Sequence, residues 1–237
     1  VIARTAELCF ALTYLFAIIG ITLIFASDLI DIDNLQPFLG HDWKPIMNVM
    51  FTETLYVPFG EAIAFSYLLP YLNSSKKGFL LGGSAIFLSG FNLALTVAIN
   101  IAVLSVPLLQ NIQFPLLATI QYISIGNFIE RLDIFFIFAA FIGAFFKIVI
   151  YFYVSIIATT DFFHLSNHRK IVYPFGLIVL FLSLTIATNY QEHINEGLKF
   201  VPIFFHFPLQ IIFPFLLLCI AFIQNRLKKK EEITKAD

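Results

Sequence analysis

The chain has 237 residues, of which 59% are hydrophobic and 12% charged, and its formal net charge is −1. Soluble domains carry about 25% charged residues, so this composition, with a mean hydropathy of +0.90, argues against a soluble enzyme and for a lipid bilayer as partner. Thirty phenylalanines suit a lipid-facing surface better than a soluble core, and the charge balance gives no sign of a nucleic-acid partner.

Six apolar stretches reach the roughly 20 residues that a spanning helix needs. In chain order they cover 6–27, 45–72, 79–105, 128–160, 171–188 and 200–224, followed by a polar tail over 225–237. None alternates with period two, so a β-barrel is not expected. The chain reads as all-α, a single membrane domain over 1–237. Cys9 and Cys219 lie inside apolar runs and read as small buried hydrophobes, with no disulfide framework or zinc spacing.

The first span follows Arg4 and Glu7 directly, and residue 1 is Val rather than Met. The span is too long for a signal peptide, and the start is expected to lie inside a larger protein. The connecting charges set the orientation. Arg4, Lys76, Lys77, Arg169, Lys170, Arg226 and Lys228 to Lys230 fall on one side. Asp28, Asp31, Asp33, Asp42, Glu192 and Glu196 dominate the other, with Lys44, Arg131 and Lys199. Both chain ends are therefore expected to be cytoplasmic.

The second span carries Pro58, Phe59, Gly60 and Glu61 at its middle. Proline donates no backbone hydrogen bond and its ring clashes with the preceding turn. Glycine loosens the backbone, and an acid at mid-membrane is costly. A helix broken there exposes polar backbone that only a protein-lined or watered cavity tolerates, and transporters build solute sites from such breaks. Tyr56, Pro58, Phe59, Gly60 and Glu61 are the candidate ligand-binding residues of this segment, although Glu61 could instead cap the second half-helix.

In the third span, Asn92 and Asn100 fall near one helical face and are expected to hydrogen-bond between helices. Asn127 precedes the fourth span as an N-cap, with Glu130 three positions on in a capping-box arrangement. Glu130 and Asp133 complement the positive end of the helix dipole, and Arg131 can reach the interface. These four residues read as a helix start or as a gate on a solute path. Lys147 lies about five helical turns further on, near mid-membrane, where a lysine should face the bundle interior. Lys147 and Glu61 are candidate partners, and Lys147 joins the candidate ligand-binding set. In the last span, Pro208 and Pro214 flank Gln210 and imply a kink with a possible cavity-lining role, and His206 reads as a satisfied interior histidine. No phosphate-cradling loop, nucleophilic triad or metal cluster occurs, so no enzyme activity, cofactor or metal is expected.

Several stretches together carry a resemblance: Pro58-Phe59-Gly60-Glu61 with Leu69-Pro70-Tyr71-Leu72; Phe114-Pro115; the run from Ile123 to Asp133; Gly143 with Phe146-Lys147-Ile148; and Tyr173-Pro174-Phe175-Gly176-Leu177-Ile178. In order and spacing the chain resembles the endospore germination permeases, the B subunits of nutrient germinant receptors, within the amino acid–polyamine–organocation superfamily. Asn127 departs from the family pattern, which has Asp there.

The resemblance implies a LeuT-like inverted-repeat fold in which the six spans are helices five to ten, the broken second span being the sixth. It implies sensing of a small nutrient, typically an L-amino acid, in the spore inner membrane alongside A and C receptor subunits. It places Lys147 near the coupling-ion position of sodium-driven relatives. It also implies that the facing half of the solute site lies on a first helix outside this chain. A proton-coupled amino-acid transporter of the same superfamily and a truncated remnant are the alternative expectations.

Overall fold

The computed structural model describes residues 2–37, 40, 42–72, 74–124 and 132–234. In chain order its α-helices are α1 Ile2–Ala26, α2 Trp43–Val49, α3 Ser75–Leu104, α4 Val106–Leu109, α5 Pro115–Gln121, α6 Asp133–Phe162, α7 Arg169–Thr185, α8 Tyr190–Asn195 and α9 Phe213–Thr234. Tighter 3-10 turns occupy Ile32–Leu35, Phe59–Tyr67 and Leu69–Tyr71, and wider π turns occupy Met50–Thr54, Glu196–Phe200 and Pro202–Ile212. No strand occurs among the described residues.

Among the described residues, four continuous helical stretches are long and apolar enough to cross a membrane: Ile2–Ala26, Lys77–Leu104, Asp133–Phe162 and Pro202–Leu227. At about 1.5 Å per residue each exceeds the roughly 30 Å hydrocarbon layer. Their outer faces carry Phe79, Phe87 and Phe141, respectively 88%, 77% and 72% exposed. Water penalises such surface and lipid does not, and the chain is a multi-pass membrane protein. A fifth candidate is bent. Arg169–Thr185 and Tyr190–Phe200 meet at 103°, and the break falls at the end of the expected fifth span, 171–188.

The expected second span is not one helix. Helical bonding from Trp43 continues to a wide turn in which the Leu55 N–H reaches the Met50 carbonyl at 3.0 Å. The Glu53 carbonyl then accepts from the N–H groups of Tyr56 and Val57 at 3.1 and 3.2 Å. Pro58 has no N–H to offer the next carbonyl, so residues 55–58 form a turn and the chain resumes at Phe59 as a tighter coil. The break is broader than the Pro58–Gly60 step that the sequence marks.

The chain divides into two compact units, residues 1–40 with 72–153 and residues 41–71 with 154–237. In the first, Ile24, Ile99 and Ile123 form a buried core, with Ile21, Leu23, Val103, Ile120 and Leu132 packed against it. The Thr119 hydroxyl donates to the Asn100 side-chain oxygen at 2.8 Å, both residues being buried. That bond realises the interhelical role expected of Asn100. The loop after α1 is fastened to the end of α3, because the Asp31 N–H and the Asn34 amide both donate to the Ala102 carbonyl, at 3.1 and 3.0 Å. The second unit contains the interrupted segment and the last apolar helix, and its geometry defines the candidate site.

Candidate functional site

Within the second unit, the coil Phe59–Tyr67 packs on the π-helical stretch Pro202–Ile212. The wide turns have a local cause. Pro208 sits inside the stretch and cannot donate, and the Phe213 N–H reaches back to the Pro208 carbonyl, five residues away. Prolines and π-bulges are both recognised sites of helix kinks, and π-bulges are frequent at functional sites.

Gly60 faces Gln210. A β-carbon on Gly60 would collide with the Gln210 side-chain oxygen, and would lie 2.9 Å from Gln210 Cδ and 3.0 Å from the Leu55 carbonyl oxygen. Glycine is therefore favoured here by close approach to the Gln210 amide and the Leu55 carbonyl. One helical turn earlier on the same wall, the Phe207 ring meets Tyr56 edge to face, with centroids 6.5 Å apart and planes at 87°. Tyr56 is only 8% exposed. Glu61 is half-buried beside Gly60, as is Phe59, whereas Pro58 is exposed.

Two polar atoms on the facing wall have no hydrogen-bond partner among the described residues. Gln210 Oε1 and His206 Nδ1 are buried, and neither makes a hydrogen bond to any described residue. This corrects the expectation of a satisfied interior histidine. Left unmade, such bonds cost about 1–3 kcal/mol each, and unsatisfied atoms in native structures mark strain, function, or a missing water or ligand. The sequence pointed to Gln210 only through its flanking prolines. The contact with Gly60, the Phe207–Tyr56 pair and the orphaned His206 nitrogen depend on tertiary packing, and no local signal would have found them.

The remaining expected residues lie elsewhere. Asn127, Glu130 and Arg131 fall outside the described residues. Asp133 is the first residue of α6, and its Oδ1 is buried without a hydrogen-bond partner among the described residues. Lys147 belongs to the first unit and Glu61 to the second. The Lys147 side chain is exposed on α6 among the described residues. Its Nζ lies 6.0 Å from the centre of the Tyr151 ring. That ring is four residues on along the same helix face, and cation–π attraction there needs no interior site.

At the bend between α7 and α8, Asn189 caps the new helix by accepting from the Glu192 N–H at 2.9 Å. Glu192 reaches back to the Thr188 N–H at 2.8 Å and also accepts from the Thr188 hydroxyl. These hydrogen bonds, the hydroxyl's foremost, hold the Glu192 carboxyl below its ordinary pKa.

A family model described as "Spore germination protein" matches residues 1–191. Spore germination protein KB of Bacillus subtilis (strain 168) is 45% identical over 232 residues, which cover 98% of this chain and 62% of that protein. The chain thus spans less than two thirds of the length of this relative. No solved structure matches it. The family match covers the interrupted segment, α6 and α7, and the chain belongs to the spore germination permease family.

Proposed function

We propose that the chain forms the solute-binding part of a germination permease, the B subunit of a nutrient germinant receptor. In this reading it resides in the spore inner membrane, with both ends cytoplasmic, and works by binding rather than by catalysis. A small nutrient, an L-amino acid by the family resemblance, docks where the second span is interrupted. Binding is passed on to A and C partner subunits. The six apolar segments take the places of helices five to ten in a LeuT-like arrangement. Tyr56, Pro58, Phe59, Gly60 and Glu61 provide one wall.

One observation carries this reading: the interrupted backbone at Gly60 lies against a wall whose His206 and Gln210 keep buried polar atoms unpaired. Mid-membrane backbone that has left its helix needs polar company, and the orphaned atoms provide hydrogen-bonding capacity beside it. A nutrient that enters there gains bonds that the empty arrangement lacks. The test is genetic. Spores in which the full-length gene is deleted should ignore at least one nutrient and regain the response on complementation. Normal germination of the deletion strain with every nutrient tested would contradict the proposal.

A second reading, a proton-coupled amino-acid transporter, is favoured by one observation, the half-buried carboxyl of Glu61 beside the break. It requires that reconstituted full-length protein accumulate solute under a proton gradient. Absence of uptake with all candidate amino acids would remove it.

A further inference from the structure

The wall opposite Gly60 has a definite hydrogen-bonding polarity. Gln210 Oε1 accepts hydrogen bonds and cannot donate them, and it is buried without a partner among the described residues. His206 Nδ1 is in the same condition, and a neutral imidazole accepts at Nδ1 when its proton sits on Nε2. The two residues are four apart in a stretch of wide, five-residue turns, which sets them on nearly the same face. A third acceptor is close. The Leu55 carbonyl oxygen lies 3.0 Å from the point where a Gly60 β-carbon would stand, and the Gln210 amide crowds that same point. Three positions after Leu55 comes Pro58, which has no N–H to offer.

The ionisable residues point the same way. The coil Phe59–Tyr67 and the stretch Pro202–Ile212 that packs on it contain no Lys or Arg. They do contain an acid, Glu61, half-buried next to Gly60. A carboxylate entering here would meet acceptors and a second acid. An ammonium group would meet acceptors and an acid that favours it. Buried acceptors left unpaired are costly, and charge-assisted N–H bonds relieve them most strongly. A primary ammonium has three N–H groups, enough to serve Gln210 and His206 together.

We infer that Gln210 and His206 receive a primary ammonium group, of an amino acid or of a simple amine, and so hold that end of the nutrient against the last apolar helix. The inference rests on the solute site proposed at the break and adds the chemistry of one of its walls. The Gln210 amide is the part that turns to meet the ligand, because its oxygen now fills the space over Gly60.

The test follows thermal unfolding of the purified full-length subunit in detergent, with methylammonium chloride, tetramethylammonium chloride and L-alanine as probes. Methylammonium offers charge and N–H donors, and tetramethylammonium offers charge alone. At saturation methylammonium should raise the unfolding temperature by about 2 °C, the scale expected of a bound ligand, and tetramethylammonium should not. Gln210→Met should lose the rise, and Gln210→Glu, which keeps the acceptors, should retain it. A larger rise with L-alanine than with methylammonium assigns the group to an amino acid, and the reverse assigns it to a simple amine. Equal rises with the two cations, or no rise with either methylammonium or L-alanine, would overturn the inference. So would a rise that Gln210→Glu also loses, because the amide would then be acting as a donor. The two cations decide the matter in the wild-type subunit even if Gln210→Met fails to fold. The expected binding by a subunit whose deletion leaves every nutrient response intact would support the ammonium site and contradict the nutrient-sensing reading, so the two fail separately.

Discussion

The side-chain oxygen of Gln210 occupies the space that a β-carbon on Gly60 would need. That relationship joins the interrupted second segment to the last apolar helix, and it allows the glycine to be tested by stability as well as by function. Gly60→Ala brings a methyl group within 3.0 Å of the Leu55 backbone carbonyl and into the Gln210 amide. Overpacking of this kind costs about 1–3 kcal/mol. Thermal unfolding in detergent should show the loss. Adding Gln210→Ala should recover much of it, because the amide is the flexible half of the clash. Additive losses in the double variant would mean that the two residues do not meet.

His206 offers the opposite sign. Its Nδ1 is buried without a hydrogen-bond partner among the described residues, and replacing an unsatisfied polar group by an apolar one of similar shape is neutral or stabilising. His206→Phe is therefore expected to unfold at or above the wild-type temperature. If the nitrogen takes part in binding, the full-length variant should also respond to nutrient only at higher concentration. A clear fall in unfolding temperature would show that the imidazole is satisfied in the membrane.

The Thr119–Asn100 bond makes a purely structural prediction. Both residues are buried, and the hydroxyl donates at 2.8 Å. Thr119→Val keeps the shape and orphans the Asn100 oxygen, at a cost of about 1–3 kcal/mol. Thermal unfolding should show this, with Thr119→Ser losing much less. Equal losses in the two variants would assign the effect to packing.

Glu192 gives a pH dependence at the exposed bend between α7 and α8. Its carboxyl is held below the ordinary value by the Thr188 hydroxyl and N–H. A carboxyl with a depressed folded pKa stabilises its surroundings above the unfolded pKa, and that contribution fades as pH falls through the folded value. Amide exchange over 189–195 should therefore speed up as pH drops below the usual carboxylate range, once corrected for the intrinsic rate. Thr188→Val should move the onset to higher pH. An unchanged onset would show that the hydroxyl does not matter.

The sequence made some features legible because they are local. Pro58 announces a break since a missing donor needs no tertiary partner to act, and long apolar runs announce α1, α3 and α6 by length alone. The extent of the break was not legible, because wide and tight turns on either side of Pro58 leave no periodic trace in so uniformly apolar a segment. Lys147 was expected inside on the cost of burying charge, a rule that fixes depth and not direction around the helix. The helix that follows the bend after Thr185 was not legible, because only the cap at Asn189 restarts it. The pairing of Gly60 with Gln210 spans 150 positions, and in apolar segments that far apart nothing in composition or period selects one partner over another.

The central claim is that the interrupted segment and the wall carrying Gln210 form the nutrient-sensing site. Its most direct test is the germination of spores carrying Gln210→Leu in the full-length subunit, followed by loss of optical density over a range of nutrient concentrations. The account predicts wild-type amounts of subunit in the membrane, normal germination by a trigger that bypasses nutrient receptors, and a lost or strongly right-shifted nutrient response. A wild-type dose response at wild-type subunit levels would contradict it.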